Sequence, residues 1–131
     1  MKIVTTENAP APAGHYSQAV IHNDLVFVSG QLPIALGIQP GSGQSGETNV
    51  ASIEDQTRIV LNNLKAILEE AGSSINKVLK VTVYISDISL WGRLNVVYGE
   101  FFKDHRPARA VVPTKDLHFG FQVEIEAIAA R

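Results

Sequence analysis

Two short β-prone runs, YSQAVIH at 16 to 22 and DLVFVSGQL at 24 to 32, flank Asn23 and Asp24, residues that favour a tight turn. The pattern predicts an antiparallel hairpin. Within the second run, LVFV at 25 to 28 is apolar without alternation, which predicts a strand covered on both faces. The glycine-rich stretch LGIQPGSGQSGETNV at 36 to 50 has no periodicity and reads as a loop. It lacks the G-x-x-x-x-G-K-S and G-x-G-x-x-G spacings, so phosphate cradling has no support there.

From Ser52 the period changes to 3.6. SIEDQTRIVLNNLKAILEEAG places Ile53, Val60, Leu64, Ile67, Leu68 and Ala71 on one helical face. Ser52 with Asp55 resembles a capping box, and Gly72 fits the left-handed position that ends a helix. KVLKVTVYISD then sets Leu79, Val81, Val83 and Ile85 against Lys80, Thr82 and Tyr84, the period of two of a strand. A second helix over 89 to 103 carries Leu90, Leu94, Val97, Tyr98 and Phe101 as its stripe, weakened by Gly92 and Gly99. Two strands close the chain, ARAVV and FQVEIEAIAA; in the latter Val123, Ile125 and Ala127 face one way and Gln122, Glu124 and Glu126 the other.

This order predicts an α+β domain over residues 1–131, with two helices packed on one face of a mixed sheet of about six strands. Two such helices cannot shield both sides of that sheet, so the bare face predicts an oligomer. No internal repeat or linker suggests a second domain.

Composition narrows the chemistry. The 131 residues contain no cysteine, which removes disulfides, thiolate metal sites and cysteine nucleophiles. The first residues show no apolar signal segment, and no window is long and apolar enough to span a membrane; a cytoplasmic protein is the expectation. Lys and Arg are dispersed and the net charge is −2, so a nucleic-acid partner has no electrostatic footprint.

Arg109 stands out, set between Ala108 and the apolar pair Val111 and Val112. A guanidinium taken out of water needs an anionic partner, supplied by the protein or by a ligand. Glu124 and Glu126 share a strand face, and an antiparallel return after Arg109 is expected to bring one of them beside it. An internal ion pair and a ligand site are both open on this reading. A glutamate left to titrate beside its neighbour's charge acquires a raised pKa and suits proton transfer to and from water. His15 reads as a packing residue, His22, His105 and His118 as structural, Trp91 and the phenylalanines as core or interface, and Lys115 as a solvated loop lysine.

Six stretches, SGQLP (29 to 33), NNLKAILEEAG, KVTVYISD, LNVVYGEFF, RPARA and VEIEAIA, together resemble the Rid family of reactive intermediate deaminases, the YjgF-type enamine and imine deaminases. The resemblance runs over nearly the whole chain. It implies a fold similar to the chorismate mutase of bacilli, a homotrimer with active sites in clefts between subunits. It also implies hydrolysis of 2-imino or enamino acids to 2-oxo acids and ammonia, without metal or organic cofactor. By position, Arg109 matches the arginine that grips the substrate carboxylate and Glu124 the glutamate that activates water. Tyr16, Ser29, Gly30 and Asn95 match pocket-lining positions, and Val111 one whose backbone faces the ligand. Relatives also bring two other activities into view, small-carboxylate sensing without catalysis and RNA cleavage with translation inhibition. The chain departs from the best-known branch at His15, where proline is usual, and over AVVPTKDLHFGFQ, with Pro113 where glutamate is common.

Overall fold

The first long element forms where capping and periodicity agree. In the computed structural model, which describes residues 1–131, helix α1 spans Ile53–Glu70. The Ser52 hydroxyl accepts from the Asp55 backbone N–H at 3.1 Å, satisfying one of the free donors of the first turn. At the other end Gly72 adopts φ +76°, and Gly72 N–H and Ser73 N–H donate to the carbonyls of Glu69 and Leu68 at 3.0 and 2.9 Å. These two bonds close the helix in a Schellman motif. The predicted face is buried throughout, with Val60, Leu64, Ile67 and Leu68 fully inaccessible. Each such side chain contributes about 1.5 to 3 kcal/mol by leaving water.

The strands are β1 (Lys2–Val4), β2 (Ala19–His22), β3 (Leu25–Gln31), β4 (Val78–Ile85), β5 (Ala108–Pro113) and β6 (Val123–Ala130), in the sheet order β1-β2-β3-β6-β4-β5. Only the β4–β5 pair is parallel. A short 3₁₀ turn, Ile88–Leu90, leads into helix α2, Trp91–Phe102, which crosses between those two parallel strands. Both helices contribute to one core with the inward residues of the sheet, among them Val26, Val81, Val83, Val123 and Ile125. No helix is long and apolar enough to cross a membrane.

Four differences from the expected pattern have local causes. Strand β1 pairs along the edge of β2 from only three residues, too short a stretch to carry a period. On β4 the register against β6 shifts between Val78 and Lys80, inserting one extra residue. Val78 is therefore buried while Leu79 is half exposed, reversing the expected assignment of Leu79 to the core. The closing strands β5 and β6 are not neighbours, because β4 lies between them. Finally, LVFV alternates after all: Val26 and Val28 are buried, whereas Phe27 on the other face is 41% exposed.

Three buried amides tie loops to this frame. Gln18 Nε2 donates to the carbonyls of Thr6 and Pro10 at 3.1 and 2.9 Å, holding the N-terminal segment against β2. Gln56 Oε1 accepts from Gln122 N–H at 2.9 Å, fixing the entry to β6, and Asn63 Nδ2 donates to the Ile34 carbonyl at 3.0 Å beyond β3. Each buried amide satisfied in this way avoids a desolvation cost of about 1 to 3 kcal/mol.

The Gly72 conformation makes a simple prediction. Alanine there keeps the space, since the nearest atom to an added Cβ is Arg131 Nε at 3.5 Å, but must adopt left-handed backbone. Gly72→Ala is expected to lower stability by about 1 to 2 kcal/mol, read as a lower urea midpoint with unchanged slope at fixed protein concentration. An unchanged midpoint contradicts the helix-end assignment.

Candidate functional site

Glu124 and Glu126 alternate with the buried Val123, Ile125 and Ala127 of β6, so both carboxylates project from the sheet face that the helices leave open. Opposite them, β3 carries a bulge. Val28 pairs with Ala127 but Gln31 with Ile125, so Ser29 and Gly30 together face a single residue of β6. The bulge brings the Gly30 backbone under the Glu124 side chain. A Cβ built on Gly30 would collide with Glu124 Oε1, so glycine lets the carboxylate rest in this position through close approach and not through an unusual φ. Ser29 is fixed by donating its hydroxyl to the Ser17 carbonyl at 2.6 Å. Tyr16, half exposed, accepts from Ala13 N–H at 3.1 Å through its hydroxyl.

These groups line one cavity of about 560 Å³, whose walls include Tyr16, Ser29, Gly30, His118, Glu124 and Glu126. Partial burial raises the Glu124 pKa, and the Glu126 charge raises it further; the nearby His118 acts in the opposite direction. Glu126 is engaged by the Tyr84 hydroxyl, which donates to Oε1 at 3.2 Å. Glu124 therefore carries an elevated proton affinity.

Arg109 lies elsewhere. It pairs with Val81 across the parallel β4–β5 ladder and therefore points toward the helices. There its Nη1 donates to Asn95 Oδ1 at 2.9 Å, and its guanidinium carbon sits 4.6 Å from the Tyr98 ring centroid and 5.8 Å from that of Trp91. Each aromatic face stabilises the cation by about 0.5 to 2 kcal/mol. None of the four ion pairs in the chain includes Arg109. The internal ion pair left open by the sequence is therefore not what the chain builds. A second cavity, of about 470 Å³, is lined by Asn95, Tyr98, Arg106 and Arg109. Tyr98 is almost fully buried, which pushes its pKa up to about 12, and its hydroxyl has no hydrogen-bond partner.

Two half-sites result, and the sheet separates them. Residue parity puts Arg109 on the helix side of β5 and Glu124 on the open side of β6, with β4 between. The expected antiparallel return bringing Arg109 beside a glutamate does not occur within the chain. Val111 shares the side of Arg109 and packs against the core, on an edge strand with no partner on its outer side. His15 is exposed beside Tyr16, while the His105 ring nitrogen lies 2.7 Å from the Val78 carbonyl and anchors the start of β4.

Three residues near the half-sites carried other assignments in the sequence reading. His118 is in the Glu124 cavity, and Trp91 and Tyr98 flank Arg109. Trp91, Asn95 and Tyr98 fall at i, i+4 and i+7 of α2, a spacing that could have grouped them on one face. His118 left no comparable signal beyond the Phe-Gly turn that follows it.

The fold and the two clefts define an α+β protein with a recess on each side of one mixed sheet, and comparison with known proteins gives the family. A family model described as endoribonuclease L-PSP matches residues 6–131. A RutC family protein of Pyrococcus horikoshii is 45% identical over 128 residues, covering 98% of this chain and 96% of that one. The solved structure of Escherichia coli TdcF with bound serine superposes with a TM-score of 0.88 at 39% identity, covering 100% and 99% of the two chains. TdcF carries the provisional name reactive intermediate deaminase. YyfA of Yersinia pestis, a Rid family protein, matches with a TM-score of 0.87 at 38% identity, covering 99% of this chain and 98% of its own. The chain belongs to this L-PSP family, the Rid or YjgF-type proteins that its motifs resemble.

Gly30→Ala tests the Glu124 geometry. The added methyl is expected to push the carboxylate toward solvent, relieving desolvation and lowering its pKa. The ¹³C shift of the labelled side-chain carboxyl during a pH titration reads this; an unmoved midpoint contradicts the close approach.

Proposed function

We propose that the protein hydrolyses reactive 2-imino and enamino acids to 2-oxo acids and ammonia in the cytoplasm, in active sites formed between subunits of a homotrimer. In this reading the Arg109 cleft of one subunit meets the Glu124 cleft of the next. The carrying observation is that a guanidinium without a carboxylate partner and a carboxyl of raised pKa lie on opposite faces of one sheet. Neither half is sufficient alone. A second copy packed against the open face, where Phe27 is 41% exposed, supplies the missing half and also removes the bare apolar surface from water.

The chemistry follows from the parts. Arg109 holds the substrate carboxylate through two parallel charge-assisted hydrogen bonds, with Asn95 and the two aromatic faces fixing the plane of the fork. The backbone around Val111 on the free edge of β5 and the Gly30 bulge contact the bound acid, and Ser29 and Tyr16 close the cleft. Glu124 accepts a proton from water as the oxygen attacks the imine carbon. Protonation of nitrogen then releases ammonia and leaves the 2-oxo acid. These residues suffice for the reaction without an added metal or organic cofactor. The serine bound to TdcF, a small molecule with a carboxylate beside an amine-bearing carbon, supports this ligand class.

Two other readings make different predictions. A non-catalytic sensor of small carboxylates binds without turnover, and Glu124→Gln then leaves its affinity nearly intact. RNA cleavage, the activity in the family model's description, has the name in its favour. A net charge of −2 and a cleft carrying Glu124 and Glu126 disfavour a phosphate backbone.

The test is ammonia release from 2-iminopropanoate or 2-iminobutanoate generated in the assay. Wild-type protein is expected to accelerate it, and Arg109→Lys to cost about 2 to 4 kcal/mol of transition-state stabilisation, roughly 30-fold to 1000-fold in kcat/KM. An equal rate with lysine at this position sinks the carboxylate-clamp assignment.

A further inference from the structure

The loop joining β5 to β6 carries a histidine that the scheme above leaves unused. His118, Phe119 and Gly120 form one 3₁₀ turn. Phe119 has φ +59° and ψ +15°, and Gly120 follows at φ +76°, so two consecutive residues are left-handed. That conformation is ordinary for glycine and disfavoured for a bulky side chain. It is held by specific contacts: the Phe119 carbonyl accepts from Asn49 Nδ2 at 3.1 Å, its ring meets Phe121 edge-on at 6.3 Å, and the His118 ring packs edge-on against it at 3.8 Å. Strain maintained by its surroundings gathers at functional positions. Here its outcome is to set His118 in the wall of the Glu124 cavity, where it is the only basic side chain. The titratable groups it meets there are Glu124 and Glu126 from β6 and Tyr16 from the segment before β2.

We infer that His118 is a second proton-transfer residue of the deamination, giving a proton to the departing amine nitrogen while Glu124 manages the protons of the attacking water. The inference rests on the deaminase reading proposed above. Water adds to the imine carbon, forming the C–O bond, and its proton passes by way of Glu124 to the former imine nitrogen, leaving a neutral carbinolamine. His118, as imidazolium, then protonates the amine; the C–N bond breaks, the hydroxyl proton passes to Glu124, and ammonia and the 2-oxo acid depart. Glu124 returns its proton to His118 through solvent, so the cycle consumes one water and no other reactant. With a single carboxyl, the same group must complete both transfers in sequence. A separate imidazole lets the acid and the base stand ready together. The opposing effect of His118 on the elevated Glu124 pKa is consistent with the two groups sharing the cavity.

The experiment measures kcat and KM for ammonia release from 2-iminobutanoate between pH 5.5 and 9, for wild type, His118→Ala, His118→Asn and Arg109→Lys. His118 is exposed, so its replacement leaves the hydrophobic core intact. Both His118 variants are expected to lose about 10- to 100-fold in kcat with KM changed less than about twofold, and to lose one limb of the pH profile. Imidazole added to the buffer is expected to restore rate to His118→Ala but not to Arg109→Lys. A second readout does not need turnover: in His118→Asn the Glu124 carboxyl is expected to titrate at higher pH than in wild type by ¹³C NMR. Wild-type activity with unimpaired His118 variants, absence of imidazole rescue, or an unmoved Glu124 titration overturns this inference and leaves the deaminase reading standing. An inactive wild type overturns both.

Discussion

Alternation along a β-strand is the constraint on which the account turns. Side chains two apart share a face, so Val111 commits Arg109 to the helix side of β5, and Val123 and Ile125 commit Glu124 to the other side of β6. No rotamer change carries either group through a sheet. The chain therefore presents a cation recess and a carboxyl recess on opposite sides of its sheet. In the proposed assembly the same parity is productive, because a subunit offers different halves to its two neighbours.

Each recess is built by features that cost stability locally and are held by the surrounding frame. The bulge at Ser29 and Gly30 interrupts the β3–β6 ladder to admit the Glu124 carboxyl above a glycine. Phe119 occupies left-handed backbone in the loop that leads to β6, and the Tyr98 hydroxyl is buried without a partner beneath Arg109. An unsatisfied buried hydroxyl costs about 1 to 3 kcal/mol, comparable to the stabilisation two aromatic faces give the guanidinium. The compensation comes from amides such as Gln56 and Asn63, which pin the entry to β6 and the exit from β3 to helix α1. The helix is in turn the best capped element of the fold.

Much of this frame was readable in the residues. Helix α1 announced itself through Ser52, its apolar face and Gly72, and strand β6 through strict alternation. Leu79 misled because a bulge shifts the period by one, and periodicity in sequence cannot show an extra residue that only pairing reveals. The order of strands was not legible either: the 14 residues between Arg109 and Glu124 are enough for a hairpin, yet the chain crosses over β4. The opposite facing of the two residues was available in principle. The apolar Val112, which is exposed, obscured it by making both faces of β5 look buried. Arg109 and the Glu124–Glu126 pair stood out from the residues themselves and Tyr16, Ser29, Gly30, Asn95 and Val111 came from the family resemblance, whereas the setting of Arg109 between Asn95, Tyr98 and Trp91, and the presence of His118 near Glu124, emerged only with the fold.

The central claim is that one site draws its arginine and its glutamate from different copies of the chain. Co-expression of Arg109→Ala with Glu124→Ala addresses it directly, since each variant alone lacks one half everywhere. Random assortment into mixed trimers regenerates both halves at about a quarter of the sites, and imine hydrolysis is expected to recover to about that fraction of wild type. Mixed oligomers verified by native mass spectrometry that remain inactive contradict the account.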